Sequence, residues 1–163
     1  MAEEIERKFL LRDERWRDAA SHSNRLRQGY LAGGSGVVVR VRLSDGAAVL
    51  TIKGATEGIR RLEYEYPVPA ADAEEMLEQL CERPLIEKER FFVPWEGHLW
   101  EVDVFQGENA GLVLAEIELG HSDEAFARPP WLGPEVSGDP RYYNASLVRR
   151  PYREWRHEVT DGR

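Results

Sequence analysis

Apolar and charged residues alternate along most of this chain with a period of two. Between residues 37 and 43, valine or leucine occupies every odd position, whereas Arg40 and Arg42 fall on even positions. Successive side chains of a β-strand point to opposite faces, so this alternation predicts strands with one apolar and one charged face. Comparable segments predict eight strands, over residues 3–10, 25–32, 37–43, 47–53, 60–66, 85–93, 98–105 and 112–119. Glycine-containing turns such as Ser44-Asp45-Gly46 predict that most of these strands pair as antiparallel hairpins.

One segment changes to the helical period. Apolar residues of the segment 70–81 fall on one helical face, and Asp72 with Glu75 resembles a capping box, so a helix is predicted there. Three shorter elements are predicted from local signals: a helix or turn over 13–20, a helical stretch over 122–127, and a helix starting near Asp139-Pro140. The highly charged tail, residues 151–163, is predicted to fray.

Length and composition limit the classes of protein. A chain of 163 residues with 42% hydrophobic residues is long enough for one well-packed domain, which we place at residues 1–163. The formal charge of -8 argues against a nucleic-acid partner, because phosphate backbones bind clustered basic surfaces. No apolar run approaches the roughly 20 residues of a membrane span. We therefore expect no membrane partner and a soluble, cytoplasmic protein.

Charged residues recur in pairs two positions apart, which places both members of a pair on the same face of a strand. The pairs are Glu4 and Glu6, Arg40 and Arg42, Glu63 and Glu65, Lys88 and Arg90, Glu101 and Asp103, and Glu116 and Glu118. On an open antiparallel sheet these faces would simply point to solvent. In a closed barrel with helices outside, they would line a lumen. The alternation alone leaves both interpretations open.

A charged lumen would require two kinds of ligand. Guanidinium and ammonium groups bind phosphate oxygens, and carboxylates bind hard divalent cations such as Mg²⁺ or Mn²⁺. A polyphosphate together with a divalent metal would therefore satisfy both sets of charges at once.

The charged motifs, taken in order, resemble those of the CYTH superfamily of triphosphate tunnel metalloenzymes. An ExExK signature spans residues 4–8, and the segment Arg141-Tyr142-Tyr143-Asn144 is similar to the final helix of the family. Between them come Arg40-Val41-Arg42, Thr51-Ile52-Lys53, Glu63-Tyr64-Glu65, Glu87-Lys88-Glu89-Arg90, Val102-Asp103-Val104-Phe105 and Glu116-Ile117-Glu118. The signature alone is weak, but the ordered set covers most of the chain.

The resemblance implies an α+β fold in which an eight-stranded antiparallel β-barrel forms a triphosphate tunnel with helices packed outside. It implies a triphosphate-containing small molecule as ligand and Mg²⁺ or Mn²⁺ as cofactor. The residues it assigns to metal binding are Glu4, Glu6, Asp103, Glu116 and Glu118. Those it assigns to phosphate binding are Lys8, Arg40, Arg42, Lys53, Lys88 and Arg90. Lys8, Tyr30, Glu63 and Glu65 are the candidate catalytic residues, and the resemblance leaves a homodimer open. Glu63, Glu65 or Glu118 could accept the proton of an attacking water, and the sequence does not select one of them.

Several activities share this set of residues. The short length and the EIERKFL and QGYL segments are most similar to bacterial inorganic triphosphatases, which implies hydrolysis of tripolyphosphate to pyrophosphate and phosphate. Class IV adenylate cyclase, thiamine triphosphatase and nucleoside triphosphatase activities remain alternatives, as does a catalytically silent polyphosphate-binding module. The motifs do not separate these activities.

Three further expectations concern residues outside the main motifs. Glu101 has the strand parity of the tunnel residues, and a tunnel position, a rim position or a structural ion pair is compatible with the sequence. Arg61 shares that parity, but its place near a strand start favours solvent. The five tryptophans are dispersed, which favours packing outside the tunnel over a base-stacking surface.

Overall fold

Eight antiparallel strands form a closed ring in the computed structural model, which describes residues 3–33 and 36–159. The strands are β1 (Glu3–Leu11), β2 (His22–Gly33), β3 (Val38–Ser44), β4 (Ala47–Lys53), β5 (Arg60–Val68), β6 (Ile86–Trp95), β7 (His98–Phe105) and β8 (Val113–Glu118). Their order around the ring is β1-β8-β7-β6-β2-β3-β4-β5, and β5 pairs again with β1. The eight-stranded barrel predicted from the sequence is confirmed.

Strand β1 closes the barrel by pairing with two neighbours in succession. Its first residues, Glu3 to Ile5, lie opposite Arg60 to Leu62 of β5. Its later residues, Glu6 to Leu10, lie opposite β8. This split pairing removes the open edges that a sheet would otherwise present to solvent.

A ninth strand, β9 (Leu132–Glu135), pairs with the end of β1 and was not predicted. Its sequence contains Gly133 and Pro134, both of which disfavour a strand by local propensity. Gly133 lies so close to β1 that an added Cβ would come within 2.8 Å of the Leu10 carbonyl oxygen. Tertiary contact therefore outweighs propensity here.

Helix α2 (Ala70–Gln79) covers one side of the barrel. Its buried residues Ala73 and Leu77 pack with Val41 of β3 and Ala48 of β4. The predicted helix is confirmed, but the capping box is wrong: the N-cap is Pro69, with no side-chain capping hydrogen bond. Asp72 instead lies inside the first turn, where its carboxylate complements the helix dipole.

The remaining helical elements are short. They are α1 (Trp16–Ala19), α3 (Asn144–Arg149), α4 (Arg156–Val159), and 3-10 helices over Gly107–Asn109, Pro140–Tyr142 and Tyr152–Glu154. The Asp139 side chain accepts a hydrogen bond from Arg141 N and caps the 3-10 helix that leads to α3, close to the predicted helix start. The helix predicted over 122–127 is wrong, because that segment forms turns and irregular chain.

The C-terminal segment packs against the outside of the barrel. Tyr152 and Trp155 are buried in a cluster with Tyr142, Leu147 and β-strand residues. The Trp155 indole N–H also donates to the Arg150 carbonyl at 3.0 Å. The predicted fraying is therefore wrong for residues 151–159, while residues 160–163 lie outside the described part of the chain.

The tryptophans pack outside the lumen, as the sequence predicts. Trp16, Trp100 and Trp131 belong to one buried cluster, with Trp95 packed against it, and Trp155 belongs to another. Within the described residues, the helices are all too short or too polar to cross a bilayer.

Candidate active site

The barrel encloses a cavity of about 560 Å³ whose wall is mostly charged. Every barrel strand contributes at least one side chain, because alternate residues of each strand face inward. The contributing charged residues are Glu4, Glu6, Lys8, Arg40, Arg42, Lys53, Arg61, Glu63, Glu65, Lys88, Arg90, Glu101, Glu116 and Glu118. Of the two interpretations of the charged faces, the structure selects the lumen.

One side of the lumen is an internally paired network around Asp103. Lys88 Nζ lies 2.8 Å from Asp103 Oδ2, and Arg90 Nε lies 2.8 Å from Asp103 Oδ1. Burial alone would raise the pKa of Asp103, but Arg90 and Lys88 hold it well below its usual range. Asp103 is fully buried and does not line the cavity. Asp103 therefore forms ion pairs with two cations and does not face the cavity. This arrangement does not fit its sequence-based assignment as a metal-facing carboxylate.

Glu116 extends this network along β8. Its carboxylate lies 3.3 Å from Lys8 Nζ and 3.5 Å from Arg90 Nη2. Burial opposes ionisation, but the surrounding cations lower the pKa of Glu116 to about 2. Glu116 is therefore ionised and already paired with protein cations.

Two cations of the lumen lack full compensation. Burial lowers the pKa of Lys88 to about 7. The Asp103 carboxylate favours the charged form of Lys88, but the positive charges of Arg90 and Arg42 offset much of that effect. Burial, with Arg40 and Arg90, lowers the pKa of Arg42 to about 9, so the guanidinium stays protonated at neutral pH. A bound polyanion would relieve this mutual repulsion.

Arg40 and Lys53 complete the cationic part of the wall. Arg40 is buried, and its Nη2 lies 3.3 Å from Thr51 Oγ1, while its Nε has no hydrogen-bond partner among the described residues. Lys53 Nζ lies between Glu4 Oε1 at 3.2 Å and Glu63 Oε2 at 3.3 Å. A buried donor without an acceptor, as in Arg40, is a place where an anionic ligand gains affinity.

Carboxylates concentrate at the next inward-facing positions of β1 and β8. Glu6 of β1 lies directly opposite Glu118 of β8 in the strand register. Burial, Glu116 and Glu4 raise the pKa of Glu6 well above its usual value. Burial, then Glu4 and Glu63, raise the pKa of Glu118. Here like charges face one another, and such repulsion is relieved by protonation or by a cation.

The carboxylates suit a divalent cation by their chemistry. Glu4, Glu6, Glu116 and Glu118 all line the cavity and offer the hard oxygen donors that Mg²⁺ and Mn²⁺ prefer. No group of three or more carboxylate, histidine or cysteine side chains forms a ready metal cage in residues 3–33 and 36–159. Glu6 and Glu118 combine a raised pKa with the absence of an ion pair among the described residues. The pKa values of Glu63 and Glu101 are raised as well, but each of these carboxylates has a cationic partner.

The remaining residues singled out by the sequence also reach the cavity. Tyr30 is buried and lines the cavity, with its hydroxyl 3.3 Å from Gln28 Nε2. Glu101 lines the cavity and pairs with Arg90 at 3.3 Å. Arg61 also lines the cavity, 3.8 Å from Glu4, so the preference for solvent was wrong. The closure of β5 onto β1, which the sequence does not specify, turns Arg61 inward.

Sequence reasoning missed two neutral residues of the site. Gln28 is fully buried, and Asn144 lines the cavity at the start of α3. Asn144 Oδ1 accepts from Lys88 Nζ at 2.8 Å and from Gln28 Nε2 at 3.2 Å. Gln28 lies two residues before Tyr30 and therefore on the same face of β2, and this spacing could have identified it as a site residue. Nothing local in the sequence places Asn144 beside Lys88.

A family profile described as CYTH domain matches residues 2–152. The chain belongs to the CYTH family. The resemblance inferred from the charged motifs is thereby confirmed.

The CYTH chain is similar over nearly its full length to two curated relatives, both named inorganic triphosphatase. One, from Acetivibrio thermocellus, is 47% identical over 156 residues, covering 96% of this chain and 99% of the relative. The other, from Nitrosomonas europaea, is 38% identical over 150 residues, covering 89% and 96%. A crystal structure of an inorganic triphosphatase matches with a TM-score of 0.66 at 36% identity, covering 91% of this chain and 95% of that one.

Proposed function

We propose that this CYTH protein hydrolyses inorganic tripolyphosphate to pyrophosphate and phosphate with the help of a divalent cation, Mg²⁺ or Mn²⁺. The observation that carries the proposal is the lumen itself, where uncompensated cations and crowded carboxylates line one cavity. A polyphosphate bound with a divalent cation complements both. The similarity to two inorganic triphosphatases supports the same assignment.

The lining of the cavity favours an inorganic substrate over a nucleotide. Among the described residues, the aromatic rings of the lining are Tyr30 and Tyr143. Tyr30 is buried in the wall, and the Tyr143 ring faces Lys8, whose Nζ lies 5.5 Å from the ring centroid. Neither ring forms the kind of open stacking surface that recognises a base.

The cations of the lumen would bind and orient the substrate. Lys8, Arg40, Arg42, Lys53, Lys88 and Arg90 would contact the phosphate oxygens and neutralise the charge that develops on the leaving pyrophosphate. Burial of Lys88 and Arg42 strengthens each such contact, because the local dielectric constant is lower than that of water. Tyr30, beside Gln28 and Lys8, would orient this end of the site.

The carboxylates of the lumen would hold the cation and accept a proton. Glu4, Glu6, Glu116 and Glu118 would hold the divalent ion, which supplies electrostatic stabilisation of the phosphate oxygens when bound. Glu63 and Glu65 line the cavity from β5, the strand that closes the barrel against β1, and burial raises the pKa of Glu63. A carboxylate with a raised pKa is a suitable acceptor for the proton of an attacking water, so we assign this role to Glu63 with Glu65 beside it.

Phosphate release tests the proposal. Purified protein is offered tripolyphosphate, ATP and thiamine triphosphate, each with Mg²⁺, Mn²⁺ or EDTA, and cyclic AMP is assayed in parallel. We expect the highest kcat/KM with tripolyphosphate, equal amounts of phosphate and pyrophosphate as products, and no turnover in EDTA.

The other outcomes correspond to the alternative activities. Cyclic AMP as the main product from ATP would assign a class IV adenylate cyclase, and preference for thiamine triphosphate or ATP would assign those triphosphatases. Tight binding of tripolyphosphate without turnover of any substrate would assign a polyphosphate-binding module. Each of these results would overturn the proposed reaction.

A further inference from the structure

Two neutral side chains connect the start of helix α3 to the cations of the lumen. Gln28 Oε1 accepts a hydrogen bond from Arg42 Nε at 2.9 Å. Gln28 Nε2 donates to Asn144 Oδ1 at 3.2 Å, and Asn144 Oδ1 accepts from Lys88 Nζ at 2.8 Å. The chain of contacts therefore runs from Arg42 through two amides to Lys88.

The partners fix the orientation of both amides. Arg42 has only donors, so it requires the oxygen of the Gln28 amide, which leaves the Gln28 nitrogen to face Asn144. Asn144 must then present its oxygen, since both Gln28 Nε2 and Lys88 Nζ are donors. Gln28 is fully buried, so a reversed amide would leave donors facing donors without water to compensate.

The amides hold these cations without cancelling their charge. In the described residues, Arg42 has no carboxylate within ion-pair distance, and Gln28 is its side-chain hydrogen-bond partner. Lys88 has one carboxylate partner, Asp103, and Asn144 provides its second acceptor. An ammonium group has three N–H donors, so one donor of Lys88 is left for a ligand in the cavity.

We propose that Gln28 and Asn144 are positioning residues of the phosphate site, whose neutral amides fix Arg42 and Lys88 while leaving their positive charge for the substrate. This inference rests on the proposed triphosphate site. A carboxylate at either position would hold the neighbouring cation just as firmly, but it would compete with phosphate for that cation. Amides at these two positions orient Arg42 and Lys88 without neutralising their charge.

Near-isosteric substitutions test the role of charge. Asn144→Asp and Gln28→Glu keep the shape of each side chain and add a negative charge, whereas Asn144→Ala and Gln28→Ala remove the hydrogen bonds without adding charge. Gln79→Glu, at the exposed end of α2, is the matched control because it changes net charge equally outside the lumen. For each variant, the affinity for tripolyphosphate is measured by calorimetry in EDTA, with KM, kcat and thermal unfolding alongside.

We expect Asn144→Asp and Gln28→Glu to weaken tripolyphosphate binding and raise KM at least tenfold, with a smaller change in kcat. The alanine variants should weaken binding by about threefold, and Gln79→Glu should match the wild type. Weaker tripolyphosphate binding by the charged variants than by the alanine variants distinguishes a positioning role from a packing role. A packing role predicts the reverse order, with the alanine variants showing the greater loss of binding and of melting temperature.

The possible failures are separable. Wild-type protein that binds no tripolyphosphate would overturn the proposed function and this inference with it. Tight wild-type binding, with the charged variants equal to the wild type or less impaired than the alanine variants, would overturn this inference alone. If one charged variant does not fold, the other position supplies the same comparison, and its order of affinities decides.

Discussion

The two acidic regions of the lumen hold carboxylates of the same kind in opposite electrostatic conditions. Around Asp103 and Glu116, neighbouring lysine and arginine side chains keep the pKa values low despite burial. Around Glu6 and Glu118, burial and neighbouring carboxylates raise the pKa values. The first region satisfies its charges within the protein, whereas the second depends on something that the protein does not supply. We therefore expect Asp103, which does not line the cavity, to serve as structural support, and Glu6 with Glu118 to depend most on a bound cation.

The largest effect is expected on removing the internally paired acid. Asp103→Asn deletes the charge shared by Lys88 and Arg90, both of which are buried. Removing one member of such a buried ion cluster typically costs about 3–5 kcal/mol. Urea unfolding should show this loss in the free energy of unfolding, even without substrate or metal.

The loss should be specific to the buried pair. Asp45→Asn, in an exposed turn, changes the net charge equally and should leave the free energy of unfolding unchanged within about 0.5 kcal/mol. An Asp103→Asn protein as stable as the wild type would mean that Lys88 and Arg90 do not need this carboxylate, and the distinction between the two regions would fail.

The next effect is expected in binding rather than in stability. Arg40→Ala removes a buried guanidinium that faces the cavity and has an unpartnered Nε among the described residues. A hydrogen bond to a charged group contributes about 1.5–3 kcal/mol, so the Kd for tripolyphosphate should rise by about 10- to 100-fold. Calorimetric titration in EDTA measures this change independently of turnover.

Arg27→Ala is the matched control for that measurement. Arg27 pairs with Glu74 on the outer surface, where its side chain is 41% exposed. Its removal changes the net charge equally but should leave the Kd unchanged. Equal Kd values for the Arg40→Ala and wild-type proteins would place Arg40 outside the binding site.

The barrel was predictable from sequence because its signal is local and repeated. Most strands alternate apolar with charged residues, and the lumen residues follow once the barrel is known to close, because parity decides which side faces inward. Lys8, Arg40 and Glu63 reach the cavity for this reason. The ordered charged motifs also identified the family correctly.

The missed features depend on contacts that no local pattern encodes. Asp103 has the parity of a lumen residue, but Lys88 and Arg90 of the neighbouring strand β6 cover it. Asn144 reaches Lys88 because the C-terminal segment is anchored by Trp155 in the outer core. Charge density suggested a frayed tail, but two buried aromatic residues outweigh it, since burial of each gains several times what a surface charge contributes.

A third effect concerns the pH dependence of the free energy of unfolding, whose direction follows from the raised pKa of Glu6. The pKa of Glu6 is higher in the folded protein than its usual value of 4.5. Such a group contributes stability at low pH that is lost as the pH rises through the folded pKa. Without divalent cations, the free energy of unfolding should therefore fall between pH 5 and 7, and Glu6→Gln should flatten that fall.

Glu63, Glu101 and Glu118 also have raised pKa values and add to this fall, so the difference between the wild type and Glu6→Gln isolates the contribution of Glu6. The low pKa values of Asp103 and Glu116 place their titration below this pH window. Lys88, with a pKa of about 7, contributes the opposite slope from the upper end of the window onward, and it does so in both proteins. Thermal unfolding of both proteins in EDTA across this range tests the prediction, and parallel curves would show that Glu6 is not under repulsion.

The smallest effect is expected on removing an acid from the crowded region. Glu118 is partly exposed and lies opposite Glu6 without an ion pair among the described residues. Glu118→Gln should therefore change the free energy of unfolding by less than about 1 kcal/mol in EDTA, and toward greater stability, because it removes a like charge. The same variant should need a higher Mg²⁺ or Mn²⁺ concentration for half-maximal turnover. A loss of stability comparable to that of Asp103→Asn would place Glu118 in the internally paired class and erase the difference between the two regions.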